Sequence, residues 1–422
     1  MTTTSRPGPL APNTPALPRV SLECFANPRV DRSASYGAER ARIVGGEALE
    51  RARREITSWP GYRATPLHEL RGLARALGIG ALHFKDEGTR FGLGSFKALG
   101  GAYAVGRLLT TKVAEKTGRP VKTSEIAAGA YRDLVREITV TCATDGNHGR
   151  SVAWGAQMFG CRCVIYIHET VSEGRKAAIE AFGARVVRTP GNYDDAVRQA
   201  DADARSEGRY LISDTSYDGY MDVPRDVMQG YAIMAEEALQ QLDGAIPTHV
   251  FLQGGVGGMA ASVCAWFWER FEGRRPITVV VEPDKADCLL RTARAGRPVA
   301  VRGELDTVMA GLACGEVSLL AWELLREGAD AFVAVPDEAA IACMRLLADA
   351  PYGDPPVVAG ESAVAGLAGL VGAISTPAAR EALRLDAASR VLLFGTEGDT
   401  DPQLYREIVG RSADEVRAGA RA

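Results

Sequence analysis

Thr248-His249-Val250-Phe251-Leu252 is a short apolar run, and Gln253-Gly254-Gly255-Val256-Gly257-Gly258 separates it from a helix-patterned stretch, Met259–Phe271. The uncharged span from Val250 to Trp268 is long enough to raise the question of a membrane helix. Its glycines would break such a helix, so it reads as strand, glycine turn and helix. Gly255-Val256-Gly257-Gly258-Met259-Ala260 fits G-x-G-x-x-G/A, and the next apolar run ends at Glu282, an acid placed to hold a ribose hydroxyl. Physically, the glycines state only that an anion can approach backbone N–H groups at a helix N-terminus. A dinucleotide, another phosphate ligand and a tight packing turn all satisfy that loop taken alone.

Outward from this unit the pattern repeats. Ile138–Cys142, Arg162–Ile167, Ala184–Arg188, Ile277–Val281, Ala331–Val335 and Val391–Phe394 are further strand-like runs, with helix-like segments such as Gly149–Phe159, Gly174–Phe182 and Tyr193–Glu207 between them. Alternation at this spacing predicts an α/β fold with a parallel sheet covered on both faces. No repeat of 20–50 residues is present. Lys112–Arg136 is charged and partly helical, an excursion between sheet elements, and Pro351–Pro356 is a loop. Residues 1–18 hold five prolines and no apolar run, which is the composition of a tail and not of a signal peptide.

The 422 residues carry 49 Lys plus Arg against 53 Asp plus Glu, a net charge of -4. This balance offers no attraction to nucleic acid or to an anionic membrane surface. Eight cysteines contain no CxxC pair and the five histidines stand singly, so no metal-site spacing exists. Such cysteines are small buried groups, and a reducing cytoplasm is the expected compartment.

Two other glycine clusters stand where a strand would end and a helix begin. One is Cys142-Ala143-Thr144-Asp145-Gly146-Asn147-His148-Gly149. The other is Phe91-Gly92-Leu93-Gly94-Ser95-Phe96-Lys97, followed by Ala98-Leu99-Gly100-Gly101. In open α/β sheets, ligands bind outside these carboxyl ends. Lys97 decides against the dinucleotide. A helix dipole and small apolar neighbours both disfavour its charge, so a depressed pKa is expected. A lysine of that kind suits imine chemistry. An imine-forming lysine beside a separate cradle for one phosphate points to pyridoxal 5'-phosphate.

At this point a resemblance carries further. Trp59-Pro60-Gly61-Tyr62, Thr65-Pro66-Leu67, Lys85-Asp86-Glu87, Arg90-Phe91-Gly92-Leu93, Ala143–Arg150, Gln253–Gly257, Met309–Gly315 and Thr396–Pro402 occur in order. Together they resemble the fold type II, tryptophan-synthase-like pyridoxal phosphate enzymes, and within them the diaminopropionate ammonia-lyases. The match runs from about residue 55 to 405. It departs at Gly94-Ser95, where the family often carries Asn-Ala.

The proline-rich N-terminal composition, which is no hallmark of the family, gives a mobile tail, residues 1–40. The resemblance implies a large lobe with a parallel sheet, residues 41–97 and 233–422, and a smaller mobile α/β lobe, residues 98–232. It implies that Lys97 holds the cofactor and, once released, takes the Cα proton. Gly254, Gly255, Val256, Gly257 and Gly258 would bind the phosphate through their amides. Asn147 would meet the ring hydroxyl, and Thr396 would offer a neutral hydroxyl to the pyridine nitrogen. Asp145 stands at the head of a turn where many dehydratases carry serine. It would hold a β-ammonium group or take a Cα proton from the face opposite Lys97. Thr144 and Ser95 would also touch substrate, and Asp214 would support catalysis. Glu361-Ser362 matches a segment near the cofactor. Cys288 and Cys314 fall near the substrate entrance, where a disulfide or two separate thiols are both open. The implied reaction is elimination on D- or L-2,3-diaminopropionate, by a homodimer, with no metal. The alternatives are a serine or threonine dehydratase or a β-replacement synthase of the same fold, a nicotinamide oxidoreductase, and a non-catalytic cofactor-binding regulator.

Overall fold

All seven apolar runs become strands, divided between two sheets. The computed structural model describes residues 15–144, 146–191 and 193–419. Seven strands, β1 (Glu23–Ala26), β2 (Leu67–Glu69), β3 (Ala81–Asp86), β8 (His249–Gln253), β9 (Ile277–Pro283), β10 (Ala331–Val335) and β11 (Arg390–Gly395), form one sheet in the order β1-β10-β9-β8-β11-β3-β2. Its five central strands run parallel, and β1 and β2 close the edges antiparallel. The other four, β4 (Thr139–Ala143), β5 (Arg162–Ile167), β6 (Arg185–Arg188) and β7 (Tyr210–Leu211), make a parallel sheet in the order β6-β5-β4-β7, inserted in sequence between β3 and β8. Near-continuous apolar runs such as Val250-Phe251-Leu252 and Val279-Val280-Val281 are what strands covered on both faces require.

Register places the chemistry. Gly395 pairs with Asp86, Leu393 with Phe251 and Gln253 with Val281, so β3, β11, β8 and β9 end side by side. The turns leaving β3, β8 and β11 therefore share one rim of the large sheet. Those leaving β4 and β7 share one rim of the small sheet.

The expected tail is shorter than residue 40. Glu23–Ala26 forms β1, pairing from Glu23 with Ala334 to Ala26 with Ala331, and the Asn27 amide donates to the carbonyls of Ala329 (2.7 Å) and Arg326 (2.9 Å). An edge strand this short needs only one partner face, which is why no alternation announces it. Among the described residues no helix is long and apolar enough to cross a membrane.

The charged residues of two quoted motifs are structural. Lys85 donates to Glu237 (2.7 Å), the Thr65 carbonyl (2.7 Å) and Gln241 (2.9 Å), and Arg90 donates to both Glu87 and Glu237 at 2.8 Å. Lys85, Glu87, Arg90 and Glu237 are all buried. Charges so placed persist only when each is paired. The network fixes residues 62–65 and 85–90 just ahead of the segment that delivers Lys97.

Candidate active site

Lys97 stands at the N-terminus of helix Ala98–Thr117, and its ammonium donates to Asp214 Oδ2 at 2.7 Å. Asp214 lies beyond β7, so the two sheets supply the two halves of this pair. Burial opposes the charge on Lys97, but Asp214 outweighs it and holds the amine above the ordinary lysine range. The expected depression is thus corrected: helix dipole and apolar walls are present, and a carboxylate 117 residues away wins. Burial also works against ionised Asp214, yet Lys97 and then His148 hold it below the ordinary carboxylate range. His148 Nε2 sits 2.8 Å from the Ile212 carbonyl, which can only accept, so Nε2 carries the proton. Its Nδ1 then turns a lone pair toward Asp214, 3.9 Å away. Burial lowers the His148 pKa; Asp214 opposes this and Lys97 adds to it.

A cavity of about 570 Å³ opens over this pair, lined among others by Asn147, Gly254, Gly255, Val256, Gly258 and Thr396. At the start of helix Gly258–Phe271, the amides of Gly255, Val256, Gly258 and Met259 find no acceptor among the described residues. Four unpaired donors at a helix N-terminus make an anion cradle. The five-residue expectation is corrected in two places. The Gly254 amide donates to the Val281 carbonyl (2.8 Å) and the Gly257 amide to the Gly254 carbonyl (3.1 Å), so these two shape the loop and do not face a ligand. Met259, which no glycine pattern signals, joins the donors.

Gly255 sits at φ +61°, in the left-handed region. Gly255→Val should force that loop to shift at a cost of ~1–2 kcal/mol, weakening the cofactor roughly tenfold. Absorbance titration of cofactor into the variant checks this, and undiminished affinity would remove the loop from the phosphate site.

Glu282 has another task than a ribose. It accepts the Leu289 and Leu290 amides (2.9 and 2.8 Å), capping helix Cys288–Ala295. This removes the acid on which the nicotinamide reading depended.

Thr396 is buried on the cavity wall, 3.3 Å from Gln253 Nε2, which gives its two hydrogens to the Ala363 and Phe394 carbonyls (2.8 and 2.5 Å) and so cannot accept the Thr396 proton, which is left for the cavity. That is the donor an unprotonated pyridine nitrogen needs. Asn147 Nδ2 donates to Glu397 at 2.5 Å. Thr144 lines the cavity, but its hydroxyl accepts the Gly146 and Gly149 amides (3.0 and 3.1 Å) and so builds the turn. Ser95 is corrected: it is buried off the cavity, and its backbone bridges Glu397. Asp145 lies outside the described residues. Cys288 is buried and Cys314 is half-buried, and no disulfide joins them.

Three contributors escaped the sequence reading. Arg175 pairs with Glu361 (3.1 Å) and Asp401 (3.5 Å) at the cavity wall. Burial and Glu397 together raise the Glu361 pKa, against the pull of Arg175. Arg150 donates to the Leu93 carbonyl at 3.0 Å, tying the Asn147 turn to the lysine segment. Tyr231 stands beside Lys97. Their partners lie far off in sequence, so spacing carried no signal.

Lysine, unpaired amides and a donor hydroxyl on one cavity fit pyridoxal phosphate. A model of the family described as "Pyridoxal-phosphate dependent enzyme" matches residues 58–397. The diaminopropionate ammonia-lyase of Salmonella typhimurium is 41% identical over 365 residues, covering 84% of this chain and 90% of its own. The crystal structure of the holo form of the Escherichia coli diaminopropionate ammonia lyase superposes with a TM-score of 0.84 at 37% identity, covering 93% of this chain and 98% of that one. The same enzyme in complex with an aminoacrylate-PLP azomethine reaction intermediate gives a TM-score of 0.80 at 38% identity, with 93% and 98% coverage.

Proposed function

The chain belongs to the diaminopropionate ammonia-lyase family of pyridoxal-phosphate-dependent enzymes, and from that premise we propose that it converts 2,3-diaminopropionate and water to pyruvate and two molecules of ammonia. The observation that carries this is the Lys97–Asp214 pair on the floor of a cavity whose wall presents four unpaired amides. Pyridoxal phosphate, when bound, supplies an electrophilic aldehyde and an electron-withdrawing ring that acidifies the Cα proton of an attached amino acid.

The residues supply the rest. Gly255, Val256, Gly258 and Met259 hold the phosphate through N–H groups and the helix dipole. Thr396 would donate to the ring nitrogen and keep it neutral, and Asn147 would donate to the ring hydroxyl. Lys97 would hold the cofactor and, once free, would take the proton from Cα, with Asp214 stabilising the ammonium so formed. Loss of the β-amino group as ammonia leaves an enamine that water hydrolyses to pyruvate and the second ammonia. Asp145 is proposed, on its place at the head of the Gly146-Asn147-His148-Gly149 turn, as the base for the opposite face of Cα.

Two lobes, residues 98–232 against the remainder, are proposed to close over substrate and exclude water. A homodimer in the cytoplasm is also proposed. The family resemblance supports the first, eight cysteines without a disulfide support the second, and light scattering at about twice the 44.9 kDa chain mass checks the dimer.

Purified enzyme should form keto acid from both isomers of diaminopropionate. Asp145→Asn should lower turnover of the D-isomer by ~100-fold and leave the L-isomer within a few-fold. Equal losses on the two isomers would show that Asp145 is not an isomer-specific base.

A further inference from the structure

One buried polar group beside Lys97 has no task in the account above. Tyr231 closes helix Asp222–Tyr231, is 1% exposed and lines the cavity. Its hydroxyl is buried with no hydrogen-bond partner. The position is built with care. A Cβ on Gly100 would meet Tyr231 Cε1 at 2.5 Å, so glycine there is what lets the tyrosine ring seat against the lysine helix. The ring packs on Phe96 with centroids 4.6 Å apart at 54°. Lys97 Nζ lies 5.3 Å from the Phe96 centroid and 5.7 Å from that of Tyr231, within cation–π range of both.

For packing alone, phenylalanine would fill this place better, because a buried hydroxyl without a partner is destabilising. A retained hydroxyl facing a reactive amine calls for a state in which the two bond. After burial, Lys97 is the group that acts most strongly on the Tyr231 hydroxyl, stabilising its ionised form, which places the two within electrostatic reach. An ammonium has three N–H donors. Asp214 takes one at 2.7 Å.

We propose that Tyr231 is a positioning residue for Lys97, its hydroxyl accepting a second N–H from the released amine. With Asp214 on one side and Tyr231 on another, the third direction of Nζ is left to face the substrate Cα. The amine takes the Cα proton, and both partners stabilise the ammonium without either one being protonated. The inference rests on Lys97 being the amine that holds the cofactor and takes that proton.

Tyr231→Phe keeps the ring, its seat over Gly100 and its contact with Phe96, and deletes only the hydroxyl. In the holoenzyme, kcat for diaminopropionate should fall ~10- to 100-fold with KM within about threefold. A second readout needs neither substrate nor turnover. After cofactor removal, the pH at which Lys97 becomes half-reactive toward an amine-directed acylating reagent, followed by peptide mass spectrometry, should drop by on the order of one unit. 4-Fluorophenylalanine at position 231, which replaces the hydroxyl by a fluorine that cannot ionise and accepts hydrogen bonds poorly while filling its space, should give a similar drop and serves if the phenylalanine variant fails to fold.

An unchanged Lys97 titration in either variant overturns the proposal, even if kcat falls, because the loss would then be structural. A shifted titration in an enzyme that is inert toward diaminopropionate upholds the Tyr231–Lys97 contact and overturns the reading of function instead.

Discussion

Lys97→Ala is expected to abolish turnover, lowering kcat by on the order of 10³-fold or more, and to remove the visible absorbance of the bound cofactor. No neighbour can substitute. Among the described residues that line the cavity, Lys97 is the single lysine; the other long cations there, Arg150, Arg175 and Arg302, cannot shed a proton to act as nucleophile or base. Lys85 is locked in the buried Glu237 network on the far side of its own motif. Amine added from solution should restore little activity, since the cavity wall orients Nζ through Asp214. Absorbance spectra and keto-acid release in the same preparation check the prediction, and persistence of either signal would contradict the assignment.

Asp214→Asn is the second large effect. Asparagine keeps the shape and removes the charge, so burial and the helix dipole act on Lys97 without their main opponent and its pKa falls. Proton capture from Cα then lacks its stabilising counter-charge, and kcat should drop by ~100-fold or more. The same change alters stability with pH in a defined way. Folding depresses the Asp214 pKa, so its contribution is complete above the ordinary Asp range and is lost as pH falls through the depressed value. Folding raises that of Lys97, so its contribution is complete below the ordinary Lys range and is lost as pH rises through the elevated value. The stability gap between wild type and Asp214→Asn in cofactor-free protein should therefore be flat from about pH 4 to about pH 10 and close outside it. Urea unfolding across that range measures the gap. A gap that grows toward either extreme would mean that the pair does not stabilise the fold.

What could be read from the sequence follows physical rules. The strand–glycine–helix unit at 248–271 was legible because a buried strand needs a continuous apolar run and an anion cradle needs backbone without side chains. The loop alone left dinucleotide and single phosphate equally open. Only the structure shows Glu282 spent on a helix cap, a role that leaves the same sequence pattern as a ribose-binding acid. Lys97 was singled out from the sequence and lies on the cavity, but the sequence pointed its pKa the wrong way. Local rules see a helix dipole and apolar neighbours, whereas Asp214 arrives from the other sheet. Ser95 and Thr144 were expected at the substrate; Ser95 makes a backbone bridge with Glu397, and the Thr144 hydroxyl holds a turn. Tyr231 gave no signal because a tyrosine at the end of an amphipathic helix reads as core. Its unpaired hydroxyl is visible only once its surroundings are known. Strands β1 and β2, of four and three residues, are too short for any periodicity to register.

The most direct test of the central claim is the ratio of ammonia to keto acid, measured together on purified enzyme given diaminopropionate, serine or threonine. Diaminopropionate should give two ammonia per pyruvate, since one carbon–nitrogen bond breaks in elimination and a second in hydrolysis, and the hydroxy amino acids should turn over at least about tenfold more slowly. Turnover of serine or threonine alone, at one ammonia per keto acid, would keep the fold, the cradle and Lys97 while contradicting the substrate.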